Sequence, residues 1–275
     1  MDKHHGIVAG IIKAFLWVYC SFAVFILGYI LYNSFRPKKD ILTNTLGLPS
    51  GFTLDNYKKL LVDDKFLRFF LNSVIILVAS LILIVIISSL TSYGIARYKF
   101  KLNKAVRIYF LIGLMFPSQL GIVPIFLLMS KLNLVDNLLS VIIISASGIS
   151  MPVFMLSNFF AKLPEEIHEA AIIDGAGEWT TFYKIMFPMA SPVVFAVCIT
   201  VSVQIWNQFF LPLIFLTSEK YKTVPLIVMK YTKNLFITVD SAMAVSILST
   251  VPILILFIIF SNRIIEGVTA GAVKG

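Results

Sequence analysis

The chain has 275 residues, of which 59% are apolar and only 13% carry a charge, whereas soluble domains average roughly half apolar and a quarter charged. Its mean hydropathy of +0.92 excludes an ordinary soluble protein and indicates an integral membrane protein. The formal net charge of +9 does not indicate nucleic-acid binding, because no Lys/Arg run is interleaved with aromatic residues as a base-stacking surface requires. Anionic headgroups of membrane lipids are the expected counter-charge.

Apolar segments long enough to cross a hydrocarbon core, which needs about 20 helical residues, recur along the chain. Six of them span residues 11–32, 71–94, 108–129, 138–160, 189–216 and 242–261. The first is too long for the core of a signal peptide, and no small-residue cleavage site follows it. We therefore predict an all-α, polytopic membrane protein with six transmembrane helices.

The distribution of positive charge predicts how these spans are oriented. The loops on the two sides of the membrane carry nearly equal numbers of Lys and Arg, so the orientation is inferred from the density of these residues near the membrane. The short loop after the second span carries five cations and no acid: Arg97, Lys99, Lys101, Lys104 and Arg107. We therefore expect a multi-pass protein of the cell membrane with both termini and residues 161–188 in the cytoplasm. Residues 1–70 form the first helix and a long outer loop, 71–262 the core of five helices, and 263–275 a cytoplasmic tail.

An ionisable residue inside a span is the usual mark of a proton relay or an ion-coupled pump. The six spans carry almost none. Lys13, near the inner end of the first span, is the exception. The sequence has no G-x-x-x-x-G-K-[ST] phosphate-binding motif, and its three His form no catalytic or metal-binding constellation. Cys20 and Cys198 lie in apolar runs without metal-ligand spacing. We expect no catalytic residue, metal or cofactor in this chain, so energy must come from elsewhere.

A polar, charge-bearing segment, residues 161–188, separates the fourth and fifth spans. Pro164 suits the first position of a helix, and Gly175 and Gly177 are expected to end that helix in left-handed geometry. A second helix is expected over 179–186. One face of the first helix carries Ile167, Ala170, Ala171 and Asp174 at helical spacing. Because two of these side chains are only methyl groups, this face allows another surface to approach closely.

This segment resembles the EAA loop of ABC importer permeases, whose pattern is E-A-A, three residues, G, nine residues, I-x-L-P. The matching positions are Glu169, Ala170, Ala171, Gly175, Ile185 and Pro188, whereas Phe187 replaces Leu. In that family the loop is the coupling helix, which binds in a cleft of an ATPase subunit. The resemblance implies that these residues, together with Asp174, contact the ATPase.

Further stretches narrow the resemblance to carbohydrate-uptake permeases of the maltose and oligosaccharide type. They are residues 48–57, 72–73, 93–97, 117, 123–126, 206–209 and 266–275, with Gln208 where Glu is frequent in the family. The resemblance implies a type I ABC importer permease that pairs with a second, non-identical permease subunit. Two ATPase subunits would bind ATP and Mg, and an extracytoplasmic solute-binding protein would deliver a sugar. The tail residues Gly271, Ala272, Val273, Lys274 and Gly275 would contact the ATPase subunits.

The fifth span carries the best candidates for a substrate path. Thr200, Gln204, Asn207 and Leu211 recur at helical spacing, and Gln208 widens this mostly polar stripe. Trp206, Phe209 and Phe210 supply flat apolar faces. Amides suit the hydroxyl groups of a saccharide and aromatic rings its apolar face, so we select Gln204, Trp206, Asn207 and Gln208. Amides also hold membrane helices together, and this alternative remains open.

Two other functions remain open at this stage. An ion-coupled secondary transporter would work without an ATPase, since a sodium site can be built from unwound carbonyls and hydroxyls. The same ABC architecture could carry a polyol or glycerol phosphate instead of an oligosaccharide. A membrane enzyme has no support, because no nucleophile, acid–base pair or metal set is visible.

Overall fold

The protein is all-helical. The computed structural model describes the backbone of residues 2–272 and the side chains of residues 8–117 and 119–260. Within residues 2–272 all regular elements are helices and no strand occurs. This confirms the predicted all-α class.

Fifteen α-helices, joined mostly by short connections, make up residues 2–272. They are α1 (Asp2–Ser34), α2 (Lys38–Thr43), α3 (Asp55–Lys58), α4 (Phe66–Arg97), α5 (Asn103–Met115), α6 (Ile122–Lys131), α7 (Leu138–Ala146), α8 (Ser150–Phe160), α9 (Glu165–Ile173), α10 (Glu178–Thr181), α11 (Phe187–Met189), α12 (Ser191–Trp206), α13 (Phe210–Phe215), α14 (Val224–Thr232) and α15 (Leu235–Ala272). Wider π turns occupy Lys59–Asp63 and Phe182–Met186, and tighter 3₁₀ turns occupy Ser118–Gly121 and Glu219–Tyr221.

Four helical stretches within the described residues are long and apolar enough to cross a membrane as single units. They are Val8–Ser34, Phe66–Arg97, Leu138–Phe160 and Leu235–Phe260. Two further candidates are helix pairs bent by more than 40°, Asn103–Met115 with Gln119–Lys131 and Glu178–Met189 with Ser191–Trp206. Counting each bent pair as one span gives six, in agreement with the predicted number.

The fifth predicted span, residues 189–216, is not one continuous helix. Its main helix, α12, follows a bend of 72° from Glu178–Met189, begins at Ser191 and ends at Trp206. Residues 207–209 then separate α12 from α13. Pro212 explains this break, since proline has no amide hydrogen and its ring crowds the carbonyl four residues earlier, here that of Gln208.

The helices fall into two compact units. The first comprises Met1–Leu67 and Ile227–Pro252, and the second comprises Arg68–Leu226 and Ile253–Gly275. Each unit therefore joins stretches that are distant in sequence.

Buried Arg36 organises the loop that follows α1 in the first unit. Its guanidinium donates to the side-chain oxygen of Asn33 at 2.9 Å and to the carbonyl of Asn44 at 2.8 Å. The carbonyls of Asp40 and Thr45 lie 3.3 Å away and also accept from it. Because a buried charge is tolerated only when it is hydrogen-bonded, Arg36 fixes the path of residues 37–45.

A second polar contact of the first unit joins its two chain segments. Asp64 accepts hydrogen bonds from the Lys230 ammonium at 2.5 Å and from the Tyr231 hydroxyl. Burial of the Asp64 carboxyl opposes its ionisation, but these two hydrogen bonds and the charge of Lys230 outweigh burial and lower its pKa. Asp64 is therefore a charged anchor between residues far apart in the chain.

The second unit is built around α4, which packs against α7 and α8 through small hydroxyl residues. The Ser80 hydroxyl donates to the carbonyl of Ile142 at 3.2 Å, and that of Ser92 donates to the carbonyl of Val153 at 3.1 Å. Small residues let helices approach closely within a membrane. A core cluster formed by α4, α8 and the residues around α12 includes Ile84, Leu156, Phe160, Met186 and Val197.

Candidate functional site

The segment between α8 and α12, residues 161–188, is a helix, a tight turn and a second helix; we call it the loop segment. Gly175 follows α9 with φ +82°, a left-handed conformation that favours glycine. Its amide donates to the carbonyl of Ile172, and the amide of Ala176 donates to that of Ala171, both at 3.0 Å. These two bonds form a Schellman motif. The predicted helix end at Gly175 is confirmed.

Three details of the predicted loop segment need correction. Pro164 precedes α9 with φ −52° and ψ 136°, so it caps the helix instead of occupying its first position. Gly177 has φ −69° and starts α10 instead of ending α9. The second helix contains a π turn over Phe182–Met186. Pro188 accounts for it, because a widened turn relieves the clash of its ring with the preceding turn.

The two alanines of the EAA pattern point in different directions. Ala171 is only 5% exposed, and half-buried Ile167 packs against the core cluster. Ala170, one residue earlier, is exposed, because successive helical residues are rotated by about 100°. The expectation that both alanines lie on one free face is therefore wrong.

The exposed residues at the end of α9 and in the turn that follows it form a surface that we call the outer face of α9. It consists of Glu169, Ala170, Ile173, Asp174 and Gly175. Ile173 is 84% exposed and is the large apolar side chain of this surface. Toward the end of the loop segment, Ile185 is half-buried and Pro188 is exposed.

A cluster of three polar side chains, which we call the latch, fixes the loop segment to the end of α4. The Tyr98 hydroxyl donates to a carboxylate oxygen of Glu178 at 2.5 Å, and His168 Nε2 lies 3.4 Å from the same oxygen. Partial burial of the Tyr98 hydroxyl and its hydrogen bond to Glu178 raise its pKa, so it remains a donor at neutral pH. The latch therefore joins α4, α9 and α10 at one oxygen atom.

Further contacts reinforce the latch. The Arg97 guanidinium donates to the carbonyl of Leu163 at 3.0 Å. The ring of Tyr93 lies 5.1 Å from that of Phe182 and 6.4 Å from that of His168. Both helices of the loop segment are thus attached to the last turns of α4. A displacement of the segment would therefore also displace the end of α4.

The fifth-span candidates occupy different environments. Gln204 and Asn207 are exposed, whereas Gln208 is half-buried. The Asn207 amide group donates to the carbonyl of Val203 at 2.9 Å, which leaves its side-chain oxygen as an acceptor. Trp206 is only 4% exposed and packs edge-on against Phe70, with ring centroids 5.7 Å apart. Its ring is used for packing within the chain and presents no open face.

The predicted polar stripe is shorter than expected. Because α12 ends at Trp206, Leu211 belongs to α13 and does not continue the stripe. The hydroxyl of Thr200 donates to the carbonyl of Ala196 at 2.9 Å. Phe209, 46% exposed, lies in the break between the two helices. Gln204, Asn207 and Phe209 are therefore the exposed polar and aromatic side chains of this region.

Sequence reasoning missed the latch, because Tyr98 and Glu178 are 80 positions apart and no motif links them. The nearest signal in the sequence was the stretch 93–97, which resembles the carbohydrate-uptake permeases and ends one residue before Tyr98. Within the described residues, no group of three or more His, Cys, Asp or Glu side chains is placed to hold a metal ion. Gly271, Ala272, Val273, Lys274 and Gly275 lie outside the residues whose side chains are described.

A family model described as "Binding-protein-dependent transport system inner membrane component" matches residues 84–270. The chain is 36% identical to the arabinooligosaccharides transport system permease protein of Halalkalibacterium halodurans, over 92% of either chain. It is 31% identical to the diacetylchitobiose uptake system permease protein of Streptomyces coelicolor, over 97% of this chain and 89% of that protein.

The fold also matches a solved structure. This is a bacterial ABC transporter involved in the import of the acidic polysaccharide alginate, with a TM-score of 0.82 and 20% identity over 95% of this chain and 96% of that chain. The match supports the all-α ABC importer permease architecture. Together with the family model and the relatives, it shows that this chain belongs to the inner-membrane components of binding-protein-dependent transport systems, as a permease of the carbohydrate-uptake ABC type.

Proposed function

We propose that this chain forms one half of the translocation pathway of an ATP-driven oligosaccharide importer and pairs with a second, non-identical permease subunit. Two cytoplasmic ATPase subunits bind ATP and Mg and drive the pathway through the loop segment. The observation that carries this proposal is the two-sided loop segment, which has an exposed outer face on α9 and a latch to α4 on the other side.

The outer face of α9 has the chemistry of a protein-docking surface. Ile173 supplies an exposed apolar side chain, Ala170 allows close approach, and Glu169 and Asp174 supply charge. Isolated exposed apolar residues are common, but here one is flanked by the acidic and small positions of the EAA pattern. An ATPase cleft that receives this face would press on α9, and the latch would pass the displacement to α4.

The orientation follows from the cations near the latch. Arg97 contacts the loop segment through the carbonyl of Leu163, and exposed Lys99, Lys101 and Lys104 follow it in the chain. Cations of short loops accumulate on the cytoplasmic side. We therefore place the loop segment and both termini in the cytoplasm, with residues 271–275 as a further ATPase contact.

Residues 33–70 then lie outside the cell membrane, where we propose that a solute-binding protein docks. Leu46, Leu48 and Phe52 are 81%, 89% and 71% exposed, and they follow the loop that Arg36 fixes. The solved structure of a bacterial alginate ABC transporter contains an alginate pentasaccharide-bound periplasmic protein. That chain has a TM-score of 0.64 to this one at 17% identity, over 92% of this chain and 96% of that chain.

Gln204 and Asn207 are the side chains that we propose contact the sugar, with Phe209 as the stacking surface. Gln208 is a secondary candidate, whereas the ring of Trp206 packs on Phe70. The two curated relatives described above are named for arabinooligosaccharide and diacetylchitobiose transport, which favours an oligosaccharide over a polyol or glycerol phosphate. The binding-protein dependence of the family argues against an ion-coupled transporter that acts alone.

The test has two steps. The tagged chain, expressed from its native locus, is purified in mild detergent, and its co-purifying subunits are identified by mass spectrometry. Then Gly175→Asp and Glu169→Lys are compared with Glu165→Lys, which reverses an exposed charge of α9 outside the pattern. We expect the first two variants to insert normally but to abolish uptake and stimulated ATP hydrolysis. Normal uptake in both, or a chain that purifies stably alone, would overturn the proposal.

A further inference from the structure

A groove of about 530 Å³ opens beside the loop segment, between α4 and residues 179–187. Val85, Ile86 and Leu90 line it from α4, and Phe182 and Phe187 line it from the opposite side. Apart from the hydroxyl groups of Ser89 and Thr180, these walls are apolar, so they fit a hydrocarbon ligand.

The contacts between the two walls define the depth of this groove along α4. Residues 178–189 run antiparallel to the end of α4, because Tyr98 contacts Glu178 whereas Tyr93, earlier in α4, contacts Phe182. Leu90 lies seven residues before Arg97, the last residue of α4, which is about 10 Å at 1.5 Å per residue. α4 is a candidate membrane span, and residues 178–189 are the first half of a bent helix pair whose second half, α12, is the fifth span. The groove therefore extends from the end of α4 into one leaflet of the bilayer.

Trp179, Tyr183 and Lys184 complete the lining and are its amphipathic and charged side chains. Trp179 is 74% exposed and Tyr183 is 71% exposed. Trp and Tyr concentrate at the level of lipid headgroups, where their rings are half in water and half in hydrocarbon. Lys184 is exposed, and its long side chain can extend to the interface while its methylenes remain in apolar surroundings.

We propose that this groove binds an acyl chain of an anionic phospholipid, whose headgroup is held by Lys184 and by the indole of Trp179. Charge complementarity favours a lipid over another protein: the lining is mostly apolar, and its one charged residue is the cation Lys184. Exposed Lys99, Lys101 and Lys104, just beyond the end of α4, add to the positive field. With the orientation given under the proposed function, on which this detail rests, the lipid comes from the cytoplasmic leaflet.

A second groove in the same unit provides a contrast. It measures about 320 Å³, and its lining includes Leu77, Phe195, Cys198 and Phe257 but no charged residue. Nothing in that lining distinguishes one lipid headgroup from another. Selection of an anionic lipid is therefore expected only at the groove that contains Lys184.

Tryptophan fluorescence provides the test. The full-length chain, in the complex in which it purifies, is placed in nanodiscs that contain, at equal mole fractions, phosphatidylglycerol or phosphatidylcholine whose acyl chains are brominated close to the headgroup. Bromine quenches an indole that it contacts. The signal of Trp179 is obtained as the difference between the wild type and Trp179→Phe.

We expect brominated phosphatidylglycerol to quench Trp179 several-fold more than brominated phosphatidylcholine. Lys184→Gln should remove this preference and Lys184→Arg should retain it. Lys104→Gln, which removes the same charge outside the groove, should also retain it. Because this signal needs no transport, it fails or succeeds independently of the proposed function.

Three results would overturn the proposal. Equal quenching by both lipids would mean that only unselected surrounding lipid reaches Trp179. No quenching by either would mean that a protein subunit covers the groove. An equal loss of preference in Lys104→Gln and Lys184→Gln would mean that diffuse surface charge, not this groove, selects the lipid.

Discussion

The loop that follows α1 and the loop segment are both held by hydrogen bonds, but in opposite ways. Arg36 is fully buried and donates to four oxygen atoms, three of which are backbone carbonyls. The latch instead converges on one carboxylate oxygen of Glu178, whose side chain is 50% exposed. The first arrangement is shielded from water, whereas the second joins three helices through a contact that water can reach. Similar hydrogen bonds therefore build a buried platform in one region and a solvent-accessible latch in the other.

Removing Arg36 should produce the largest effect. Arg36→Ala leaves several carbonyls without a donor, and each unsatisfied buried group costs about 1–3 kcal/mol. We expect a loss of at least about 3 kcal/mol and a clear fall in the thermal midpoint, measured in detergent by fluorescence. Lys39→Ala, at an exposed cation in the same loop, should change it little. Equal midpoints for the two variants would contradict a fixed platform.

Gly175→Ala should have an intermediate effect. At φ +82° an added Cβ is strained, at a cost of about 1–2 kcal/mol. Gly177→Ala is the matched control, because φ is −69° there and no atom lies within 4 Å of the added Cβ. We expect reduced ATP coupling and lower thermal stability only in Gly175→Ala, and identical behaviour of the two variants would refute the role of the left-handed turn.

Breaking the latch should lower the thermal stability less than Gly175→Ala does, but it should reduce the coupling to ATP hydrolysis more. Tyr98→Phe keeps the ring that packs edge-on against Tyr93 and removes one hydrogen bond, worth about 1 kcal/mol. We expect a several-fold fall in substrate-stimulated ATP hydrolysis with normal insertion. In a double-mutant cycle with Glu178→Gln, the combined loss should be smaller than the sum of the two single losses. Strict additivity would show that the two residues act separately.

The smallest effect is a pH dependence in the first unit. Because the pKa of Asp64 is lowered in the folded protein, its stabilisation is complete above the unfolded pKa of about 3.9. It is lost as the pH falls through the lower, folded value. The thermal midpoint should therefore fall in acid, and Asp64→Asn should flatten that part of the profile. An unchanged profile in Asp64→Asn would assign the acid sensitivity to other carboxyls.

Those properties of the fold that depend on composition over many residues were predictable. A helix that crosses a bilayer needs a long apolar run, so the number of spans followed from run lengths. Gly175 was recognisable because a helix end so often uses glycine in left-handed geometry. Gly177 was misassigned, since glycine also occurs before the first turn of a helix, and only the backbone angles distinguish the two positions.

The remaining properties depend on packing between distant parts of the chain. Ala171 is buried because it faces the core cluster under α9. The helical spacing of the loop segment did not show which of the two alanines would face that cluster. The contact of Tyr98 with Glu178 needs the antiparallel return of the chain after α9. Trp206 was expected in a path, but its partner Phe70 lies far away in sequence. The break after Trp206 could have been read from Pro212.

The π turn over Phe182–Met186 gives the spacing of the EAA pattern a geometric meaning. Phe182 and Met186 at its two ends, and Ala190, Val193 and Val197 beyond it, are all buried, so the widened turn keeps the inward side of the segment in phase with that of α12. Deleting one residue would rotate everything downstream by about 100° and expose that row. The number of residues between Gly175, Ile185 and Pro188 therefore sets the rotation of the following helix as well as its distance along the chain. A change of length there would turn the helix that carries Gln204.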